Sequence, residues 1–329
     1  MPEYRIFGAE LSPYSVKMRS YFRFKGLPHR WILRNSDPAT YQKYAKIPII
    51  PLVVTPEDEG IQDSTPIIET VEARHPEPAI HPDDPVAAFA SVLLEEFGDE
   101  WGNKWMFHYR WARRADQLNS GGRIGRTMNP DASDEEHQQI IEQVLERMTN
   151  RVWFVGSNEV TAAQIERSLM EALPVLDAHL ESRPYLFGAG PAFGDFGMWG
   201  QIYNAWTDPT CGAIIEAKYP NVLAWIHRML FPRIEGDFET WDTLAAGLTP
   251  LLKEQLGDRF MPWTLANEAA IAAGDEEFSV QVAGETWTQK PQKYHAKSLA
   301  VLRQKYAAAD KAAIEAALGA TGCLIGLEA

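Results

Sequence analysis

Seven short apolar elements follow one another before residue 76, and their periods switch between strand and helix. Tyr4, Ile6 and Phe7 form an extended run that ends in a loop at Gly8-Ala9-Glu10. Ser12-Pro13-Tyr14-Ser15 then opens a helix, with Ser12 as N-cap and Pro13 suited to the first helical position. Val16, Tyr21 and Phe24 give that helix an apolar face, and Lys17, Arg19, Arg23 and Lys25 are predicted to point elsewhere. Residues 29–33 (HRWIL) read as a strand, and Asp37-Pro38 caps a short helix over 39–45. Residues 47–54 are apolar and β-branched; Pro51 cannot donate to a ladder, so it belongs at the start of a strand. Residues 60–62 return as a strand after an acidic turn, and Asp63-Ser64-Thr65-Pro66 caps a helix whose Ile67, Ile68 and Val71 face inward. The order β-α-β-α-β-β-α is that of a compact α/β domain with a sheet of about four strands.

Residues 75–85 (HPEPAIHPDDP) hold four prolines and read as a stiff linker. The boundaries predicted are 1–75 for the α/β domain, 76–85 for the linker, 86–249 for an all-helical domain and 250–329 for a C-terminal extension. In the helical domain, residues 86–117 carry apolar side chains at spacings of three and four, and 119–129 (NSGGRIGRTMN) read as a loop. Ser133 with Glu136 has the spacing of a capping box for a helix to residue 151. Further helices are predicted over 161–181, 195–205 and 222–230, which together make a bundle. In the extension, a helix over 262–273 precedes an alternating hairpin at 278–288 and a final helix over 294–318 that should pack it down.

A net charge of -14 disfavours nucleic acid and anionic membranes, which need a basic footprint. No stretch is long and apolar enough to span a bilayer, and the first residues lack the pattern of a signal peptide, so the expected compartment is the cytoplasm. Two cysteines, Cys211 and Cys323, leave no room for a disulfide framework or a cysteine-built zinc site, and no metal is expected. Gly188-Ala189-Gly190-Pro191 follows no strand and reads as a loop, and no Gly-x-Ser-x-Gly elbow occurs. The start of the first helix is different. A strand feeding a helix N-terminus aims N–H groups and the positive dipole end at solvent, and a capping hydroxyl adds a donor for an anion.

These pieces together resemble the cytosolic glutathione transferase superfamily. Ser12-Pro13-Tyr14-Ser15 stands where thioredoxin-like proteins carry Cys-Pro-Tyr-Cys, Ile50-Pro51-Leu52 matches the apolar residue, cis-proline and strand, and Gln62-Asp63-Ser64 matches the acidic-Ser pair at the next helix. The resemblance covers about residues 4–232 and leaves the extension outside it. It implies a thioredoxin-like N-terminal domain followed by an all-α bundle, and a homodimer joined through the helix from Ser64 and the helix from Val86. It implies glutathione as co-substrate and transfer of alkyl or aryl groups to it from a hydrophobic electrophile, by conjugation or by cleavage of an ether or halide. Ser12, or Ser15 one turn on, would be catalytic by stabilising the thiolate. Tyr14, Ile50, Pro51, Asp63 and Ser64 would hold the peptide, with Lys46 or Arg34 at the glycyl carboxylate. Trp105, His108 and Tyr109 would line the electrophile pocket. One departure is Ala192-Phe193-Gly194-Asp195, which keeps only the Asp of the family's Ser/Thr-x-x-Asp cap. A glutathione-dependent reductase would need a cysteine at the motif, where Ser12 and Ser15 stand. A non-catalytic relative that binds or assembles is the remaining alternative, and the extension is its motive.

Overall fold

β1 (Tyr4–Gly8) buries Tyr4, Ile6 and Phe7 and joins two kinds of pairing. It runs parallel to β2 (His29–Leu33) and antiparallel to β3 (Leu52–Val54), and β3 pairs antiparallel with β4 (Gly60–Gln62), giving the order β2-β1-β3-β4. α1 (Pro13–Phe24), α2 (Pro38–Tyr44) and α3 (Ser64–Arg74) complete this layer in the computed structural model, which describes residues 3–328. The caps are those the sequence predicts: Ser12, Asp37 and Asp63 each accept a backbone N–H at the start of their helix. Two of the four α1 cations depart from expectation. Lys17 and Lys25 are buried, because carboxylates remote in sequence wait for them: Glu95 and Asp99 for Lys17, Glu72 for Lys25.

The second domain begins with α4 (Pro85–Phe97), a π-helical turn (Gly98–Gly102) and α5 (Asn103–Ala112). The helix expected over 86–117 runs on through that turn to Ala112 and is broken at Arg113, which is extended, and the loop expected at 119–129 is mostly α6 (Arg114–Met128). Its glycines read as loop residues but serve packing. A Cβ on Gly121 would lie 2.3 Å from a Leu145 methyl, so α6 sits directly on α7 (Asp134–Thr149), which starts with the capping box of Ser133 and Glu136. α8 (Ala162–Leu180) follows, then α9 (Phe193–Trp206), α10 (Pro209–Lys218), α11 (Pro220–Arg228) and α12 (Trp241–Leu251). The sequence reading had not marked α10 or α12.

α9 is the rod around which the rest is built. It touches α4, α5 and α1, and almost all of its side chains are buried. Close approach needs glycine at two points: a Cβ on Gly197 would lie 2.7 Å from Glu95 Cα, and one on Gly200 would lie 2.8 Å from the Pro13 carbonyl oxygen. Asp195 fastens the start of α9. It is fully buried and accepts N–H bonds from Leu186 at 2.8 Å, Ala192 at 3.0 Å and Trp225 Nε1 at 2.9 Å.

A second π-helical run (Leu252–Phe260) leads from α12 into α13 (Met261–Ala273), and β5 (Phe278–Val282) and β6 (Glu285–Gln289) form the expected hairpin. Ala283 and Gly284 both have positive φ, the geometry of a type I′ turn. The hairpin docks by its own side chains: Trp287 is buried against Trp101, and Asn158 and Gln164 donate to the Thr288 and Thr286 carbonyls. The final helix is two, α14 (His295–Ala308) and α15 (Lys311–Leu318), because Ala309 turns to an extended conformation and Asp310 caps a new start. They lie along α4, not over the hairpin as expected.

Candidate functional site

The Ser12 hydroxyl oxygen accepts the Ser15 N–H at 3.3 Å. A hydroxyl that accepts through a lone pair still has its own hydrogen to donate, and Ser12 is half-buried at the mouth of α1. Ser15 is placed differently. Its hydroxyl is fully buried, has no hydrogen-bond partner among the described residues, and lies under β1, where a Cβ on Gly8 would meet it at 3.0 Å. Tyr14 donates to the Asp99 carbonyl at 2.9 Å and accepts from Asn103 Nδ2 at 3.3 Å. Burial, with Asp99 beside it, pushes the Tyr14 phenol above its ordinary range, so it keeps its proton.

The Ile50-Pro51 peptide bond is cis. β3 pairing begins at Leu52, so the Ile50 backbone stays outside the ladder, while Pro51 accepts the Asp63 N–H at 3.1 Å. Asp63 has φ 82 and accepts the Ser64 N–H at 2.7 Å. Ser64 is buried and its hydroxyl donates to Asp99 Oδ2 at 3.2 Å, so it faces the interior. Lys46 is exposed and, with Arg34, lines a cavity of about 400 Å³ beyond Ile47 and Pro48. The cis peptide thus joins two features directly: Pro51 bonds Asp63 at the start of α3, and the segment before Ile50 borders the cavity.

Behind the start of α3 sits a charge cluster the sequence did not reveal. Lys17 Nζ reaches Glu95 at 2.5 Å and Asp99 at 2.7 Å, and Thr65 donates to Glu95 at 2.7 Å. One ammonium serves two carboxylates. Burial works against the Lys17 charge, but Asp99 and Glu95 outweigh it and hold the amine above its usual value. Burial also raises the Asp99 carboxyl to about 7, against the pull of Lys17. The cluster ties α1, α3 and α4 together, and breaking such a buried pair typically costs about 3–5 kcal/mol.

Trp105, His108 and Tyr109 lie in the interior. Trp105 Nε1 donates to Ser168 at 2.9 Å, His108 is bonded to Ser157 and Glu166, and Tyr109 is covered by the Arg113 guanidinium. Toward the first domain α5 places Asn103 on Tyr14 and Arg110, which donates to the Leu11 carbonyl at 2.8 Å; Phe107 lies between them along the helix and is half-buried. Cys211 and Cys323 are buried, and burial raises both thiols, Cys323 to about 11. Among the described residues no group of three or more His, Cys, Asp and Glu is arranged to hold a metal ion, and no helix is long and apolar enough to cross a membrane.

Two domain families match the chain. The glutathione S-transferase N-terminal domain matches residues 6–79, and the glutathione S-transferase C-terminal domain matches residues 135–228. No curated protein sequence matches. Among solved structures, the β-etherase LigF from Sphingobium is similar with TM-score 0.50 and 19% identity over 70% of this chain and 95% of that one. A glutathione S-transferase from Methylobacterium radiotolerans, in complex with glutathione sulfonate, gives TM-score 0.43 and 17% identity over 72% and 98%. The Tau class enzyme of mango gives 0.38 and 18% over 69% and 88%. The likeness to LigF, at 19% identity, speaks for the fold alone. With both halves of the family architecture matched in order, the chain belongs to the cytosolic glutathione transferase superfamily.

Proposed function

We propose that this protein binds glutathione between Arg34 and Asp63 and ionises its thiol at Ser12. The observation that carries the reading is the Ser12 hydroxyl: it accepts from Ser15, keeps its own hydrogen free, and stands at a helix N-terminus. A free cysteine-type thiol has a pKa of about 8.5, and each unit of depression takes roughly 1.4 kcal/mol of preferential thiolate stabilisation. One hydroxyl donor with the helix dipole is the right size for one or two units. The unpaired Ile50 backbone suits the cysteinyl main chain, Asp63 the γ-glutamyl ammonium, the start of α3 at Ser64 the γ-glutamyl carboxylate, and Arg34 with Lys46 the glycyl carboxylate. The thiolate then attacks an electrophilic carbon: an S–C bond forms, and where an ether or halide is cleaved, that group leaves with its electron pair. Asn103 and Phe107, beyond Tyr14, are the nearest walls for a hydrophobic electrophile.

Ser12→Ala should raise the pKa of bound glutathione by about one unit, the value of one charge-assisted hydrogen bond. Turnover near neutral pH should fall while glutathione affinity stays within a few-fold. Ser15→Ala should do less, because its hydroxyl is buried under Gly8. Ultraviolet titration of the bound thiolate in the three proteins checks this, and loss in Ser15→Ala alone would move the role there. A second reading, a binding or assembly protein without turnover, is favoured by one feature: the extension lies across α4 and reaches α3. Thiolate formation without consumption of any electrophile would select it.

A further inference from the structure

Residues 290–294 leave the hairpin and cross toward the first domain. Gln292 is held on the far side: its N–H donates to Asn267 Oδ1 at 2.7 Å, its carbonyl accepts from Asn267 Nδ2 at 3.0 Å, and its side chain donates to the Phe154 carbonyl. Two residues on, the Tyr294 hydroxyl donates to Asp63 Oδ2. Extended chain covers at most about 3.3–3.6 Å per residue, so the two steps from Gln292 keep the Tyr294 backbone near the second domain while its hydroxyl reaches the first. The strap does not fall back on itself: α14 starts at His295, and Ser298 donates to Glu96.

Asp63 is therefore held at both oxygens. Oδ1 accepts the Ser64 N–H, and Oδ2 accepts Tyr294. A carboxylate oxygen has a second lone pair, so Oδ2 can still take a donor from a ligand. Tyr294 is 44% exposed and Asp63 is half-buried, so neither residue is closed off from solvent. Burial and the neighbouring Asp63 raise the Tyr294 phenol, so it stays protonated and a donor. A tyrosine that merely anchored the strap would be expected to bury its ring; this one spends its hydroxyl on a carboxylate the peptide needs.

We propose that Tyr294, carried by the extension, is a positioning residue of the glutathione site: it fixes the Asp63 carboxylate for the γ-glutamyl ammonium, so the site is finished by a part of the chain outside the two matched domains. This inference rests on the reading of Asp63 in the proposed function. The test is isothermal titration of the full chain with glutathione in the parent, Tyr294→Phe and Gln292→Ala, with thermal unfolding alongside. Tyr294→Phe should weaken binding about 3–10-fold, within the range of one ordinary hydrogen bond because the lost bond is to Asp63 and not to the ligand, with little change in melting temperature. Gln292→Ala, which loosens the strap without touching Asp63, should bind within twofold of the parent. Tyr294→Phe binding like the parent would overturn the inference and leave the proposed function standing. Equal weakening in both variants would also overturn it, by reducing Tyr294 to a strap anchor. A parent chain that takes up no glutathione would overturn both.

Discussion

At the residue scale, the α9 start depends on one carboxylate. Asp195 is buried among three N–H donors, yet burial outweighs those bonds and raises its carboxyl from 3.8 to about 7. Asp99 is raised to about 7 by burial as well. The sign follows from which state holds the proton. Between about pH 4 and 7 the native chain keeps protons that the unfolded chain has released, so stability falls as pH rises through that window. Melting scans should therefore show a decline from pH 5 to pH 8, and Asp195→Asn should flatten part of it. The same variant should cost on the order of 3 kcal/mol, since an amide accepts through one oxygen where three N–H groups converge. The residues legible in the sequence were those whose role is local: Ser12, Asp37 and Asp63 each cap within three positions. Lys17 was misread because its partners are 78 and 82 residues away, and Tyr294 went unassigned because Asp63 is 231 away.

At the level of elements, the strands were readable because β-branched runs bounded by turn residues leave few alternatives, and β2 and β4 fall where they were expected. α6 was not, because glycine carries two meanings. In NSGGRIG it lowers helix propensity, and only the neighbouring α7 shows that the absence of a side chain is used for contact. The same logic applies where α9 meets α1. Gly200→Ala would drive a methyl against the Pro13 carbonyl oxygen and toward Lys17 Cβ, moving the start of α1 without changing any ligand residue. It should destabilise by about 1–3 kcal/mol, as overpacking does, and weaken glutathione binding. Gly122→Ala on α6, which has nothing within 4 Å, is the control and should be neutral or stabilising. Denaturant unfolding with ligand titration separates the two.

For the whole molecule, the extension is part of the main core. Trp263, Trp287, Leu302 and Ile314 share one apolar cluster with Trp101, Leu93 and Phe97, and the Lys104 amine, whose pKa burial pulls well down, lies 3.7 Å from the Trp263 ring centre. Tyr306 packs on Phe89 of α4, and Lys305 pairs with Glu69 of α3 at 2.6 Å. These are the helices through which a homodimer was expected, and the chain's own C-terminal end packs along α4 and meets α3 at that ion pair. Light scattering at micromolar concentration should give a mass near 37.0 kDa; twice that would place a second copy on another face. The burial of Cys211 and Cys323 has a consequence of a different kind. Thiolate is the reactive form, and neither side chain offers it to solvent near neutral pH. Both thiols should therefore be slow toward thiol reagents in the folded protein and react once it unfolds, so a thiol titration before and after denaturant reads whether the core around them is closed.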